Sequence, residues 1–370
     1  MLRAFFRRLP LAASLVVLLA VSLLGTLPAQ AKSASGGCGV GISKLYTADG
    51  SNNQKTVFQD GNTIHYIVNV SNSCPTTISA TLWFYAAWGQ VYTAVRPGEA
   101  FDQTYTVSIP YGSVGYYVGT TIPMSAFPGP FLYKATVTNQ SNSADTATSS
   151  VAFTISGTKY VRNSSGQTVT YYSQWKNSTD GLASSDCGPT SVAMVLNYLG
   201  KAQGGTNPWD QIKYVRTSIT NRFGKVSPYP EIIGSWLEYG LTHLSNGTLT
   251  SDGTPNGVLD VHTGQFSPVP SYQENWIAAY LTGNHPAVVL VNASSSIPSP
   301  NLGRPYDGHW LVVIGTYDDG TNAYMIVNDP DDNYTKISGP ATIWLPTFGN
   351  ALQYVDTESD NYQGIVGWNN

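Results

Sequence analysis

The sequence predicts two domains, an all-β sandwich followed by an α+β domain. Three observations predict this. Short alternating strands fill the stretch from about Gly39 to Ile155. A turn-rich junction follows. Beyond it, segments of helical period come first and strands come second.

Ahead of both domains, residues 1–31 read as a secretory signal peptide. Arg3, Arg7 and Arg8 make a basic start, Leu9 to Leu27 is mostly apolar, and Ala29-Gln30-Ala31 is a small-x-small cleavage site. Pro10 and Pro28 bracket a short apolar core, which argues against an uncleaved membrane anchor. Lipidation at Cys38 is disfavoured too, because Ser35-Gly36-Gly37 lies well past the apolar run. The expected location is secreted or extracellular.

The chain is weakly charged, 11% with a net charge of −4, and it carries 36 Gly, 24 Tyr and 9 Trp. Few charges and many aromatics suit an exported, β-rich protein. No basic patch points to nucleic acid. Of the three cysteines, Cys38 and Cys74 lie in the first domain and Cys187 in the second. Two plus one is the arithmetic of a structural disulfide and a free thiol in an oxidising compartment. The alternative use of Cys187 is a bridge to another chain.

Residues 38–156 form the first expected domain. Thr63 to Val70 alternates apolar and polar for most of its length. Ile78 to Tyr85, Gln103 to Ile109, Tyr116 to Ile122, Tyr133 to Val137 and Ser149 to Ile155 read the same way. Turns such as Arg96-Pro97-Gly98-Glu99 separate them. Strands at this spacing make an immunoglobulin-like sandwich. It holds no catalytic cluster, so it is expected to act as a spacer or to contact a cell surface or cell wall.

Residues 157–167 are the expected linker and 168–370 the second domain. Thr168 to Ser173 reads as a short strand. Helices are expected after Pro189, from Asn207-Pro208, from Pro230 to Gly240, and from the capping box Ser271-Tyr272-Gln273-Glu274 to Gly283. Strands follow at Ala287–Val291, Trp310–Tyr317, Ala323–Asn328 and Thr342–Leu345.

The chemistry centres on Asp186-Cys187-Gly188-Pro189. Val192, Val195, Leu196 and Leu199 fall on one face of a helix, Pro189 suits its first turn, and Gly200 suits its end. Cys187 therefore sits at a helix N-terminus, where free N–H groups and the dipole favour a thiolate. Taken alone, the stretch equally fits a buried cysteine before a core helix.

A cysteine nucleophile needs a base, an orienter for the base and oxyanion donors. His243 and His262 lie in irregular sequence without an orienting partner, and His285 precedes Pro286 at a strand start. His309 opens a strand whose hairpin partner ends at Asn328-Asp329-Pro330, so antiparallel pairing brings Asp329 beside the imidazole. Asp329 would fix the tautomer and leave the other ring nitrogen to Cys187. Asn328 is the alternative orienter, although alternation turns it to the other face. Gln174, a short loop before Cys187, offers an amide to an oxyanion hole.

In this order, Gln174, Asp186-Cys187-Gly188-Pro189, Gly308-His309-Trp310 and Asn328-Asp329-Pro330 resemble papain-fold cysteine peptidases related to the bacteriocin-processing, double-glycine-leader peptidases. The resemblance runs from about Thr168 into the C-terminal region. It implies a papain-like α+β domain with Cys187 as nucleophile, His309 as base, Asp329 as orienting acid and Gln174 as oxyanion donor. The family's best-known members sit in front of an export transporter. A signal peptide and a β-domain stand there instead in this chain, which favours an extracellular role over leader processing. The loops Leu244–Pro270 and Ala293–Asp307 have no counterpart in the family pattern.

The expected function is thus a secreted cysteine peptidase acting on peptide or protein substrates through a Cys-His-Asp triad. One alternative keeps the triad in a cell-wall amidase or an acyl-transferring, cross-linking enzyme. Another is a surface-binding protein whose papain-like domain has lost catalysis. No cofactor and no metal is expected. Asp329, Asp331, Asp332 and Asn333 crowd like a Ca²⁺ loop, but the glycine and terminal glutamate of such a loop are missing, and a solvated turn is the first expectation. Paired Cys or His spacing for zinc is absent.

Overall fold

A computed structural model of the chain describes residues 38–59, 61–88, 99–121, 127–176, 178–223, 240, 244, 259–261, 277, 281, 283–291, 309–332, 339–345, 348 and 365–368. The expected signal peptide, His243, His262, Gly308, Asn333 and nearly all of the two long loops lie outside these residues. The described residues fall into two compact units. The first draws on Met1–Ala87, Ala100–Met124 and Phe131–Thr154, and the second on Trp88–Glu99, Ser125–Pro130 and Ile155–Asn370.

Alternation builds the first unit. Its strands are β1 (Val40–Asp49), β2 (Val57–Gln59), β3 (Thr63–Asn72), β4 (Ile78–Trp88), β5 (Glu99–Ile109), β6 (Gly112–Thr121), β7 (Gly129–Asn139) and the first part of β8 (Thr146–Tyr160), whose residues from Ile155 on belong to the second unit. In β3, Ile64, Tyr66, Val68 and Val70 are buried, while Thr63, His65, Asn69 and Ser71 between them are more exposed. β3 is the middle strand of an antiparallel sheet ordered β1-β3-β6. The facing strands run β5-β4-β7-β8, with β2 on β8. Rings close the space between the sheets: Tyr66 of β3 lies 5.0 Å from Tyr133 of β7 and 5.9 Å from Phe153 of β8. Cys38 and Cys74 form a disulfide that ties the entry to β1 to the exit from β3, and Cys187 is free.

The second unit holds α1 (Cys187–Tyr198), α2 (Pro208–Phe223), β9 (Leu259–Val261), β10 (Ala287–Val291), β11 (His309–Asp318), β12 (Ala323–Asn328), β13 (Pro340–Trp344) and β14 (Ile365–Trp368). β11 is the central strand. β10 pairs with residues 309–313 of β11, the last four residues of β8 pair with residues 315–318, and β12 lies antiparallel on its other side. β8 comes so close that a Cβ on Gly315 would collide with the Lys159 carbonyl. β12 in turn pairs with β13, and β10 with β14.

α1 is buried on nearly every side, from Gly188 to Leu196 and again at Tyr198, because it packs against both α2 and β11. Gly200, at φ 69°, ends it. The Lys201 amide then bonds back to the Leu196 carbonyl at 2.8 Å.

The expected fold class, an immunoglobulin-like sandwich followed by a helices-first α+β domain, does not describe this molecule. Strands dominate it, fourteen against two α-helices among the described residues. Thr168 to Ser173 is irregular rather than a strand. Its backbone is held by side chains instead, as where Asn328 donates to the Val169 carbonyl at 3.2 Å. Residues 157–160, expected in the linker, continue β8, since β11 offers them a pairing edge. The helices expected from Pro230 and from Ser271 lie almost wholly outside the described residues. Gly240, the expected stop of the first of these, is itself helical, and so is Leu244 beyond it.

Candidate active site

Cys187 is the first residue of α1, half-buried at the helix N-terminus. Asp186 occupies the N-cap position, yet its side chain makes no capping bond. Its carboxylate turns to α2, where Arg216 Nη1 reaches Oδ2 at 2.6 Å. Arg216 Nη2 also bonds Asp180 Oδ2. Burial, the largest influence, pushes the Asp186 carboxyl up to about 7, against the pull of the guanidinium; Asp180 adds to the rise.

His309 opens β11 and is 4% exposed. Asp329 follows the last residue of β12. The pairing of Val312 with Asn328 sets the two strand ends side by side, and His309 Nε2 lies 2.7 Å from Asp329 Oδ1. Cys187 is the other side chain that acts on the ring, and it too raises the pKa. With Nε2 engaged by Asp329, Nδ1 is the nitrogen left for the sulfur. Burial, the largest single influence, would lower the His309 pKa. The charge and hydrogen bond of Asp329, followed by those of Cys187, outweigh it and raise the pKa well above the ordinary imidazole range.

Gln174 is 1% exposed. Its Nε2 donates to the Ala183 carbonyl at 2.9 Å, its backbone N–H donates to the Pro330 carbonyl at 2.9 Å, and its Oε1 has no hydrogen-bond partner among the described residues. One amide hydrogen remains beyond the Ala183 bond. The acidic run after β12 braces the same segment. Trp175 Nε1 donates to Asp331 Oδ1 at 2.6 Å, and Ser173 Oγ donates to Asp332 Oδ1 at 2.5 Å. Asp329 Oδ1 accepts the Asp331 amide at 2.9 Å. The run is therefore not the solvated turn expected from its charge: Asp329 is 4% and Asp331 2% exposed.

The structure thus joins His309 to Asp329 directly, with Cys187 among the groups that act on the ring. Gln174 reaches the turn before Cys187 by its side chain and the residue after Asp329 by its backbone. Asn328 stands apart, with its amide on Val169. His285 lines a cavity of about 550 Å³ beside Tyr198 and Gly200, at the opposite end of α1 from Cys187. Sequence reasoning missed Arg216 and the bracing roles of Asp331 and Trp175. Arg216 had one legible signal: it shares a face of α2 with buried Ile212 and Ile219, where a lone charge needs a buried partner.

The chain is similar to several solved structures at low identity. The C-terminal domain of wzt is 9% identical, with 33% of this chain and 75% of that one covered at a TM-score of 0.25. A cycloisomaltooligosaccharide glucanotransferase of Paenibacillus sp. is 16% identical over 42% of this chain and 19% of its own, with a TM-score of 0.23. The CARDB domain of the PF1109 protein from Pyrococcus furiosus is 17% identical over 32% and 92%, with a TM-score of 0.21. No curated protein matches the chain. Residues 166–347 match the family described as Peptidase_C39 like, and this match supports a papain-like cysteine peptidase family for the stretch that carries Gln174, Cys187, His309 and Asp329.

Proposed function

We propose that the chain is a secreted cysteine peptidase that hydrolyses peptide bonds with Cys187 as nucleophile, His309 as acid and base, Asp329 as orienter and Gln174 as oxyanion donor. The observation that carries this reading is the His309 ring, bonded to Asp329 Oδ1 at 2.7 Å and raised in pKa by Asp329 and by the free cysteine at the mouth of α1. The family match over residues 166–347 supports it. The signal-peptide pattern of residues 1–31 and the Cys38–Cys74 disulfide support the secreted location.

The raised His309 pKa favours a ring that holds the proton while the sulfur carries the charge. The sulfur attacks the amide carbonyl, and the carbonyl electrons move to oxygen. The Cys187 N–H and the free Nε2 hydrogen of Gln174 are the donors for that oxyanion. As the C–N bond breaks, His309 gives its proton to the leaving amine, and a thioester remains. His309 then takes a proton from water as the water attacks the thioester; the C–S bond breaks, its electrons return to the Cys187 sulfur, and the acid product leaves.

The test is a peptide-library digest with the purified mature protein, read by mass spectrometry. New amine termini are expected from wild type and none from Cys187→Ala. Intact mass of the secreted protein should begin after Ala31. A wild type that cleaves nothing, yet releases amines from peptidoglycan or forms isopeptides, would move the chemistry to an amidase or transferase with the same residues.

A further inference from the structure

Arg216 stands on α2 and touches none of the reacting groups, yet the contacts around it converge on the oxyanion donor. Between Gln174 and Cys187 the chain makes a single 3-10 turn, Ala183–Ser185. The carbonyl of Ala183 accepts two hydrogen bonds, one from Gln174 Nε2 at 2.9 Å and one from the Asp186 backbone N–H at 3.2 Å. The position of that carbonyl therefore sets where the Gln174 amide points.

Two aspartates flank the turn, and the guanidinium holds both. Before the turn, Asp180 accepts the Leu182 amide on Oδ1 at 3.2 Å and Arg216 Nη2 on Oδ2. After it, Asp186 accepts Arg216 Nη1 at 2.6 Å. The planar fork of arginine can hold two carboxylates at fixed spacing, which a lysine cannot do. A second observation points the same way. An aspartate at an N-cap ordinarily accepts an amide of the first turn, and Asp186 does not; its carboxylate is turned to Arg216, and Oδ1 has no hydrogen-bond partner among the described residues. The helix forgoes a cap so that the turn before it is clamped.

We propose that Arg216, through Asp180 and Asp186, is a positioning residue for the oxyanion hole: it fixes the Ala183 turn and so aims Gln174 at the carbonyl oxygen that Cys187 attacks. This rests on the reading of Cys187 as nucleophile and Gln174 as oxyanion donor.

The test compares two reactions of one sulfur. p-Nitrophenyl acetate acylates it: the S–C bond forms, an oxyanion develops, the ester C–O bond breaks and p-nitrophenolate leaves. Iodoacetamide alkylates it: the S–C bond forms, iodide leaves, and no oxyanion appears. Cys187 is the free cysteine of the chain, so both reactions report on it. Arg216→Lys should slow acylation by about 10- to 100-fold, the effect of a small misplacement, while alkylation stays near the wild-type rate. Gln174→Ala should show the same split. The double variant should be no slower than Gln174→Ala alone, since both act through one amide. If Arg216→Lys does not fold, Asp180→Asn carries the test, because it keeps the buried Asp186–Arg216 pair. Equal slowing of both reactions would overturn the proposal, as would unchanged acylation or effects that multiply in the double variant. Failure of the underlying reading looks different: wild-type Cys187 is alkylated but takes no acyl group, and both fall together.

Discussion

His309 and Asp186 are two of the side chains that set the pH behaviour of this protein. The folded-state pKa of His309 is raised above the ordinary value of 6.5, so its contribution to stability is full below that value and is lost as pH rises through the raised one. Asp186, pushed up to about 7 by burial, holds a proton in the folded state where the unfolded chain has lost it. Its contribution is present below 3.8 and fades as pH climbs to about 7. Urea midpoints should therefore fall with rising pH in two windows. Asp186→Asn should flatten the lower window and His309→Gln the upper one; a wild type whose midpoint rises between pH 4 and 7 would contradict the Asp186 assignment. For turnover, Gln174→Ala should cost on the order of 100-fold. Asp329→Ala should cost less than His309→Ala, because Asp329 orients the ring and does not carry the transferred proton. His285→Ala should leave turnover near wild type, as it lies at the far end of α1. Cys187, His309 and Asp329 were legible because each stands at an element boundary that sequence marks: a helix mouth, a strand start and a strand end. Arg216 was not legible as their support, since nothing local says which carboxylates a buried guanidinium will find.

At the scale of elements, reading succeeded where one face decides and failed where tertiary partners do. α1 was readable from Pro189, its apolar run and Gly200. β10 to β13 were readable from short apolar runs between turn residues. Thr168–Ser173 carries strand-forming Val and Tyr, but no strand pairs with it. Its Val169 carbonyl accepts from Asn328, Ser173 donates to the acidic run after β12, and the amide of Gln174, the next residue, donates to Pro330. That exchange serves the site, because one irregular segment then touches both the Asp329 end and the Cys187 end. The missing Cβ of Gly315 is a second device that alternation could not reveal. It lets β8 approach β11 within the reach of a single Cβ. Gly315→Ala should therefore destabilise the protein by about 1–3 kcal/mol, as an overpacked site does. A denaturation midpoint equal to wild type would mean that β8 can draw back without loss.

For the whole molecule, the misjudged fold class has a physical source. A strand needs a partner and a helix does not, so strands accumulate on one another once a sheet exists, which local periodicity does not reveal. Here β11 collects β8, β10 and β12, and the helices that remain described, α1 and α2, serve mainly to hold Cys187 and Arg216. The two units also divide the labour of stability and chemistry. The first has its own ring-filled core and the disulfide, which joins cysteines 36 positions apart. Every residue of the candidate site lies in the second. Replacing both Cys38 and Cys74 by Ser should therefore destabilise the first unit by about 2–4 kcal/mol, the usual effect of a bridge of this loop length. Alkylation of Cys187 and peptide turnover should keep their wild-type rates at temperatures where that unit is still folded. A turnover that collapses before the first unit melts would show that the site depends on the disulfide, and the division would fail.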